Sequence, residues 1–119
     1  MRNDALSSKS FDFALRIIKL YKYLTTEKRE YILSKQVLRS GTAIGALISE
    51  AEFAQSKADF INKMYVSLKE ANETRYWLKL LVQSEYITTE MFHSILPDIE
   101  VLIRLLVAST KTAKKNNAK

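Results

Sequence analysis

Apolar residues recur along most of the chain at spacings of three and four, which is the pattern of amphipathic α-helices. Four segments carry this pattern, and residues that favour helix starts precede each of them. The first helix is predicted to follow the polar run 7–10 and to end near Leu24. The second is predicted to follow a turn at Thr25–Thr26 and to end at about Ala54. The third is predicted to begin at the capping box 56–59, and the fourth is predicted to begin at 88–90.

Each segment also predicts which of its residues face the core, because one side of an amphipathic helix carries the apolar stripe. The four predicted stripes are Phe11, Ala14, Ile17, Ile18, Tyr21 and Leu24; Leu33, Val37, Ser40, Gly41, Ile44, Ile48 and Ala51; Phe60, Met64, Leu68, Ala71, Arg75, Leu78 and Val82; and Phe92, Ile95, Ile99, Leu102 and Leu106. Arg75 is included in the third of these stripes on its spacing alone.

Long helices joined by a few residues must run antiparallel to their neighbours in the sequence. The chain is therefore predicted to be all-α, an antiparallel up-down-up-down four-helix bundle formed by residues 1–110. Residues 111–119 are predicted to be a frayed, disordered basic tail. Pro97 lies inside the fourth segment, where it removes a backbone donor, so we expect a kink at 92–97 or a later start of this helix.

The chain's two glycines, Gly41 and Gly45, stand one helical turn apart in the second segment. Glycine in a helix interior costs about 1 kcal/mol relative to alanine, so a close neighbouring helix is needed to offset the loss. Together with Ser40 they predict a helix-packing site. A phosphate-binding loop is not indicated, because the segment lacks the lysine and the strand-to-helix context of such loops.

Composition adds limits on the class of protein. The 119 residues suit one domain, and they include no cysteine. Residues 1–5 lack the apolar run of a signal peptide, and the most apolar stretch, 101–108, is too short to cross a membrane. We therefore expect a cytoplasmic protein that does not associate with membranes.

Positive charge is concentrated at two places in a chain whose net charge is +6. The first helix carries four basic residues against Asp12, and the tail carries four lysines. Such a surface could bind nucleic acid through phosphates, or it could simply be a solvated helix face. The nucleic-acid-binding residues predicted from this charge, with one tyrosine on the same side, are Arg16, Lys19, Lys22, Tyr23, Lys114 and Lys115.

Carboxylates on the second and third helices permit two interpretations. Glu50, Glu70 and Glu73 could form a catalytic site, or they could join Arg39, Lys69, Arg75 and Trp77 in a structural ion-pair network or interface. The network is the favoured interpretation. Glu90 and His93 form a Glu-x-x-His element, but di-iron bundles need this element on two helices and the chain has one copy, so we predict no metal site. We also predict no cofactor and no enzymatic activity.

Several motifs resemble a known bacterial family of four-helix bundles, the proteins encoded within intervening sequences of 23S ribosomal RNA genes. A relative of that family is the accessory protein of diversity-generating retroelements. The carrying motifs are Leu38-Arg39-Ser40-Gly41-Thr42, Ile44-Gly45-Ala46, Glu50-Ala51, Gln55-Ser56-Lys57-Ala58-Asp59-Phe60, Lys63-Met64, Leu68-Lys69-Glu70-Ala71 and Glu73-Thr74-Arg75-Tyr76-Trp77-Leu78.

This resemblance implies a homo-oligomer, a pentameric ring of bundles. It also favours RNA or a nucleic-acid-processing protein as the partner, bound through a basic surface, with no small-molecule substrate. The alternative is a purely structural scaffold that recruits a protein partner and binds no nucleic acid.

Overall fold

A computed structural model describes residues 4–117 of the chain. Among these residues the secondary structure consists of four helices, α1 (Asp4–Thr26), α2 (Leu33–Ala51), α3 (Lys57–Gln83) and α4 (Thr89–Asn117). Each helix packs against its neighbour in the sequence, and α1 also contacts α4, which closes the bundle. The prediction of an antiparallel four-helix bundle is confirmed. No helix within residues 4–117 has the length and the apolar character needed to cross a membrane.

The buried side of α1 differs from the predicted stripe. Ile17 and Leu24 are buried as expected, whereas Phe11 and Ile18 are exposed. The prediction was wrong in phase because α1 carries apolar residues on two sides, so a spacing of three and four fits more than one face. The residues of α1 that enter the core are Leu6, Ser10, Phe13, Ile17, Leu20 and Leu24.

On α3 two hydroxyl residues, Ser67 and Thr74, occupy core positions. The Ser67 hydroxyl donates to the Ile44 carbonyl at 2.9 Å, and the hydroxyls of Thr74 and Ser40 form a hydrogen bond at 2.8 Å. These bonds satisfy the buried oxygens and tie α2 to α3. Leu68, Arg75 and Val82, which were predicted for the core, are only half-buried, and the neighbouring positions Ser67, Thr74 and Leu81 are buried instead. Apolarity alone could not identify the two buried hydroxyl residues.

Both glycines of α2 lie against α1. A Cβ atom at Gly41 would stand 2.8 Å from Ile17 Cγ1, and one at Gly45 would stand 3.2 Å from Ser10 Oγ. No methyl group fits at Gly41 unless Ile17 moves, because real Cβ atoms do not approach carbon so closely. The glycines and the buried Ser40 therefore lie where α2 meets its neighbours, with both glycines at the α1 contact.

The start of α2 differs from the prediction. Thr25 and Thr26 belong to the last turn of α1, where their hydroxyls donate to carbonyls of that helix. The cap is the buried carboxylate of Glu30, which accepts from the backbone nitrogens of Ile32, Leu33 and Ser34 at 3.1, 2.9 and 2.6 Å. A carboxylate suits this place, because the first turn of a helix leaves backbone donors unpaired.

The predicted starts of α3 and α4 are confirmed by hydrogen bonds. Ser56 Oγ accepts from the Asp59 nitrogen at 3.1 Å, and Thr88 Oγ1 accepts from the Met91 nitrogen at 3.1 Å. Pro97 does not delay α4, which begins at Thr89 and contains the proline. Residues 111–117, predicted as tail, continue α4 as helix, whereas 118–119, like 1–3, lie outside the described residues.

Candidate interaction surfaces

The outward side of α1 carries an apolar stripe. Phe11, Leu15 and Ile18 are 66%, 49% and 36% exposed, and their spacing of four and three places them on one side of the helix with Lys22. The core residues occupy the opposite side and are buried. We call Phe11, Leu15, Ile18 and Lys22 the α1 outer face. Sequence reasoning missed it, although the second apolar phase of α1 was its signal.

Arg16 lies on the side of α1 that faces α4. Its guanidinium group donates to the Ser94 carbonyl at 3.0 Å, the Ser94 hydroxyl at 2.8 Å and the Asp98 carboxylate at 2.7 Å. All five donors of an arginine share one planar fork, so these bonds fix its orientation. The structure thus places this predicted nucleic-acid residue in a contact that holds α1 against α4.

The other residues predicted for nucleic acid are dispersed over several surfaces. Tyr23 is half-buried and packs against the core, and Lys19 is exposed. Lys22 shares the α1 outer face. Lys114 stands over the Tyr65 ring, 5.1 Å from its centroid, while Lys115 is exposed on the last turns of α4. The structure does not bring these residues together in one site.

A second surface is formed by α3 and the last turns of α4. The residues Tyr65, Lys69, Asn72, Tyr76 and Lys79 are all exposed, and their spacing of four, three, four and three places them along one stripe of α3. The Lys114–Tyr65 contact brings α4 beside this stripe, and Lys111 stands one turn before Lys114. We call these residues, with Lys111 and Lys114, the α3–α4 basic face.

This face was visible in the sequence as a heptad-like series of rings, lysines and one amide. It was missed because Tyr23 was the only tyrosine assigned to nucleic acid and the α3 core was assigned to a neighbouring phase. Tyr76 is 56% exposed and Tyr65 is 37% exposed. The Tyr76 ring meets Trp77 edge-on, with the centroids 5.3 Å apart.

The predicted ion-pair residues fall into three groups. Arg39 of α2 contacts both Glu70, at 3.1 Å, and Glu73 of α3, and the Trp77 indole donates to Glu73 at 3.3 Å. This cluster joins two helices at a partly exposed position, where an ion pair contributes about 1 kcal/mol or less. Outside the cluster, Glu50 pairs with Lys63 at 3.6 Å, and Arg75 donates to Asn72 at 3.1 Å. The prediction was wrong for Lys69, which joins none of these groups and forms no ion pair within residues 4–117.

This arrangement also bears on the catalytic alternative. Glu50 is paired separately from Glu70 and Glu73, so the three carboxylates do not share one site. A cleft of about 730 Å³ lies at the end of the bundle between α2, α3 and α4, and none of these carboxylates lines it. No group of three or more acidic, histidine or cysteine residues in the described part of the chain could hold a metal ion.

The similarity to known proteins is consistent with this fold. A crystal structure of a protein of unknown function from the S23 ribosomal protein family of Bacteroides thetaiotaomicron VPI-5482 superposes with a TM-score of 0.91. The two chains are 54% identical, and the match covers 93% of this chain and 99% of that one. No curated protein sequence matches.

Residues 2–108 match the family described as 23S rRNA-intervening sequence protein. The match and the structural similarity confirm the resemblance predicted from the motifs of α2 and α3, and neither indicates a catalytic family. The chain belongs to the 23S rRNA-intervening sequence protein family.

Proposed function

We propose that this protein is a non-enzymatic assembly module that self-associates through the α1 outer face and binds RNA through exposed basic residues. The α1 outer face is the observation that carries the proposal. Three large apolar side chains are exposed on one side of a helix whose other side already fills the core. A continuous apolar surface of this kind is typical of protein–protein interfaces.

Burial is the physical reason for association. Removing apolar surface from water is favourable by about 25 cal/mol per Å², so covering Phe11, Leu15 and Ile18 stabilises a contact between copies. Their helix is held firmly, because Gly41 and Gly45 seat α1 against α2 and Arg16 bonds α1 to α4. A rigid interface helix loses little entropy on binding.

A ring of five bundles is the assembly that the family resemblance favours. Closed rings need two different surfaces on each copy, one for each neighbour. The α1 outer face is one of them in this proposal, and it packs on a different surface of the next bundle. Lys22 lies at the edge of the patch, where its ammonium group can stay in water while its methylene stem covers apolar surface.

RNA is the proposed partner because the chain has an excess of basic residues, and a ring multiplies that excess. Several exposed lysines within residues 4–117, among them Lys19, Lys69 and Lys79, form no ion pair with the described residues. Such cations release counterions from a polyanion when they bind its phosphates. A cytoplasmic location accords with this partner.

Light scattering of the purified chain tests the assembly. We expect the wild type to have the mass of five copies, and the variant Leu15→Glu to be a folded monomer. Phe53→Glu is the matched control, because Phe53 is 83% exposed in the turn after α2, outside the α1 outer face, and this variant also replaces an exposed apolar side chain by a carboxylate. It should keep the wild-type mass.

A wild type that stays monomeric over a wide concentration range would contradict the assembly proposal. So would a Leu15→Glu variant that keeps the wild-type mass. An assembled protein that binds no RNA at low salt would instead support the second candidate, a scaffold that recruits a protein partner.

A further inference from the structure

We infer that the α3–α4 basic face is a binding site for single-stranded RNA, in which Tyr65 and Tyr76 stack on bases and the lysines contact phosphates. This inference rests on the RNA-binding half of the proposed function and moves that binding away from α1. It follows from the exposed rings, the unpaired lysines and their common stripe on one helix.

The spacing of the stripe suits an extended polynucleotide. A helix rises 1.5 Å per residue, so Tyr65 and Tyr76 are about 16 Å apart along α3, with Lys69 between them and Lys79 beyond. Rings and ammonium groups therefore alternate along one exposed stripe of α3. Stacking on aromatic side chains beside a basic track is how single strands are held without sequence preference.

Charge on this face is not neutralised locally. Lys69, Lys79 and Lys111 form no ion pair with any residue of the described segment 4–117. Glu73 is one turn from Lys69 and could have paired with it, but its carboxylate is held by Arg39 and Trp77. The Arg39 cluster thus leaves the lysines of the neighbouring stripe available to an anion from outside.

The tyrosines are supported by neighbours while they remain open to solvent. Lys114 lies over the Tyr65 ring, and the Trp77 edge contact restrains the Tyr76 ring. More than a third of Tyr65 and more than half of Tyr76 are nevertheless exposed. Restrained, exposed rings can bind a base at a low cost in side-chain entropy.

The α1 surface fits RNA less well than α3 does. Arg16 already uses its donors on Ser94 and Asp98, and Tyr23 packs against the core. Lys22 stands among apolar side chains that the proposed interface would cover. Lys19 is exposed on α1, but the nearby Tyr23 ring packs against the core, whereas on α3 the unpaired lysines stand beside the exposed rings of Tyr65 and Tyr76.

The test is a titration of the full chain against a fluorescently labelled 20-nucleotide single-stranded RNA of mixed sequence, repeated over a series of salt concentrations. A double variant that combines Lys69→Glu and Lys79→Glu should weaken RNA binding at low salt by about tenfold or more. The slope of log affinity against log salt should decrease in magnitude by about 1.4, because two phosphate contacts are lost.

The matched control combines Lys28→Glu and Lys35→Glu. Both lysines are exposed in or near the turn between α1 and α2, and the change in net charge is the same. Binding by this control should change by less than about threefold, because only long-range repulsion is altered and salt screens it. An equal loss in both double variants would overturn the assignment to this face.

Stacking is tested by combining Tyr65→Ala and Tyr76→Ala, with the corresponding phenylalanine pair as control. Alanine should weaken single-strand binding about tenfold, whereas phenylalanine should retain it, because stacking needs the ring and not the hydroxyl. Duplex RNA of the same sequence should bind the wild type and the alanine variant alike. Duplex preference in the wild type, or no loss with alanine, would overturn the single-strand assignment.

Circular dichroism and light scattering check that each variant keeps the fold and the wild-type mass. As a second measurement, photo-crosslinking of the wild type to 4-thiouridine RNA should label peptides that contain Tyr65 or Tyr76, and labelling confined to α1 would overturn the inference.

A wild type that binds no RNA would remove both the inference and the RNA half of the proposed function. Wild-type binding that is unchanged in all α3 variants would remove the inference alone.

Discussion

The outer sides of α1 and α3 face solvent in the same bundle, yet their chemistry is opposite. On α1 the exposed stripe is Phe11, Leu15 and Ile18, with a single lysine at its edge. On α3 the exposed stripe alternates tyrosine and lysine with one asparagine, and α4 adds two more lysines. An apolar stripe gains by leaving water, whereas a basic stripe gains by exchanging counterions.

This difference teaches that total charge on a helix is a poor guide to its partner. Counted along the sequence, α1 looks like the basic helix of the protein. In the bundle its arginine is bonded to α4, and three large apolar side chains are exposed on its outer side. The two surfaces should therefore respond differently to salt, because added salt weakens RNA binding but leaves apolar association intact.

The largest effect is expected when α1 is displaced from α2. Gly41→Leu would force a branched side chain into the space of Ile17, whose Cγ1 lies only 2.8 Å from where a Cβ would stand. We expect the free energy of unfolding to fall by about 3 kcal/mol or more, with loss of assembly because the α1 outer face is no longer held. Urea unfolding and light scattering measure both effects.

Ala46→Leu is the control for this change, since Ala46 is exposed on the same helix. It should alter stability by about 0.5 kcal/mol or less. A Gly41→Leu protein with the melting temperature and mass of the wild type would show that no close helix crossing exists at this glycine.

A neighbouring pair on α1 separates core from interface. Ile17 is fully buried and Ile18 is 36% exposed, so the same truncation probes two environments. Ile17→Ala should lower the free energy of unfolding by about 2–4 kcal/mol through the cavity it leaves. Ile18→Ala should change it by about 0.5 kcal/mol or less at dilutions where the protein is monomeric, yet weaken assembly measurably.

Urea unfolding at low concentration and light scattering at high concentration distinguish these outcomes. If Ile18→Ala left the assembly as strong as in the wild type, the apolar side of α1 would not be the interface.

The smallest effect concerns Arg16, which sharpens the division of roles between α1 and α3. Arg16→Ala should lower the free energy of unfolding by about 0.5–1 kcal/mol, a modest value because the pair with Asp98 is 39% and 46% exposed. RNA affinity should change by less than about twofold. Thermal unfolding and the RNA titration are the measurements, with Lys28→Ala, at an exposed lysine in the turn after α1, as the control.

A strong loss of RNA affinity in Arg16→Ala, at unchanged stability, would return the binding site to α1. A loss of stability alone would support its role as a contact between α1 and α4.

The sequence predicted the architecture well but the phases of its helices less well. Four apolar periodicities, few turn residues and short connections were enough for an antiparallel bundle. The phase of α1 and part of α3 could not be read correctly, because Phe11 and Ile18 are apolar yet exposed, while Ser67 and Thr74 are polar yet buried. Burial depends on hydrogen-bond partners and on neighbours that are distant in the sequence.

Helix starts show the same limit. Ser56 and Thr88 cap their helices as the sequence indicated, because both bonds are local. Glu30 was missed although its hydrogen bonds also span only two to four residues, because glutamate is not a usual N-cap residue and its carboxylate reaches the α2 nitrogens only after the chain has turned at Arg29, whose φ is 50°. The predicted site residues also lie on several surfaces of the bundle. Helical spacing predicts which residues of one helix share a side, but it does not predict which residues of different helices come together.

By itself the sequence determined the class, the number of helices, their antiparallel order and the family, because periodicity, caps and motifs are properties of neighbouring residues. It also supplied the two glycines whose missing side chains permit a close crossing. Only the tertiary structure decided which glycine meets Ile17, that Arg16 is occupied by Ser94 and Asp98, and that rings and lysines of α3 line up beside Lys114. Those facts depend on the rotation of each helix about its axis, which the packing of the whole core sets.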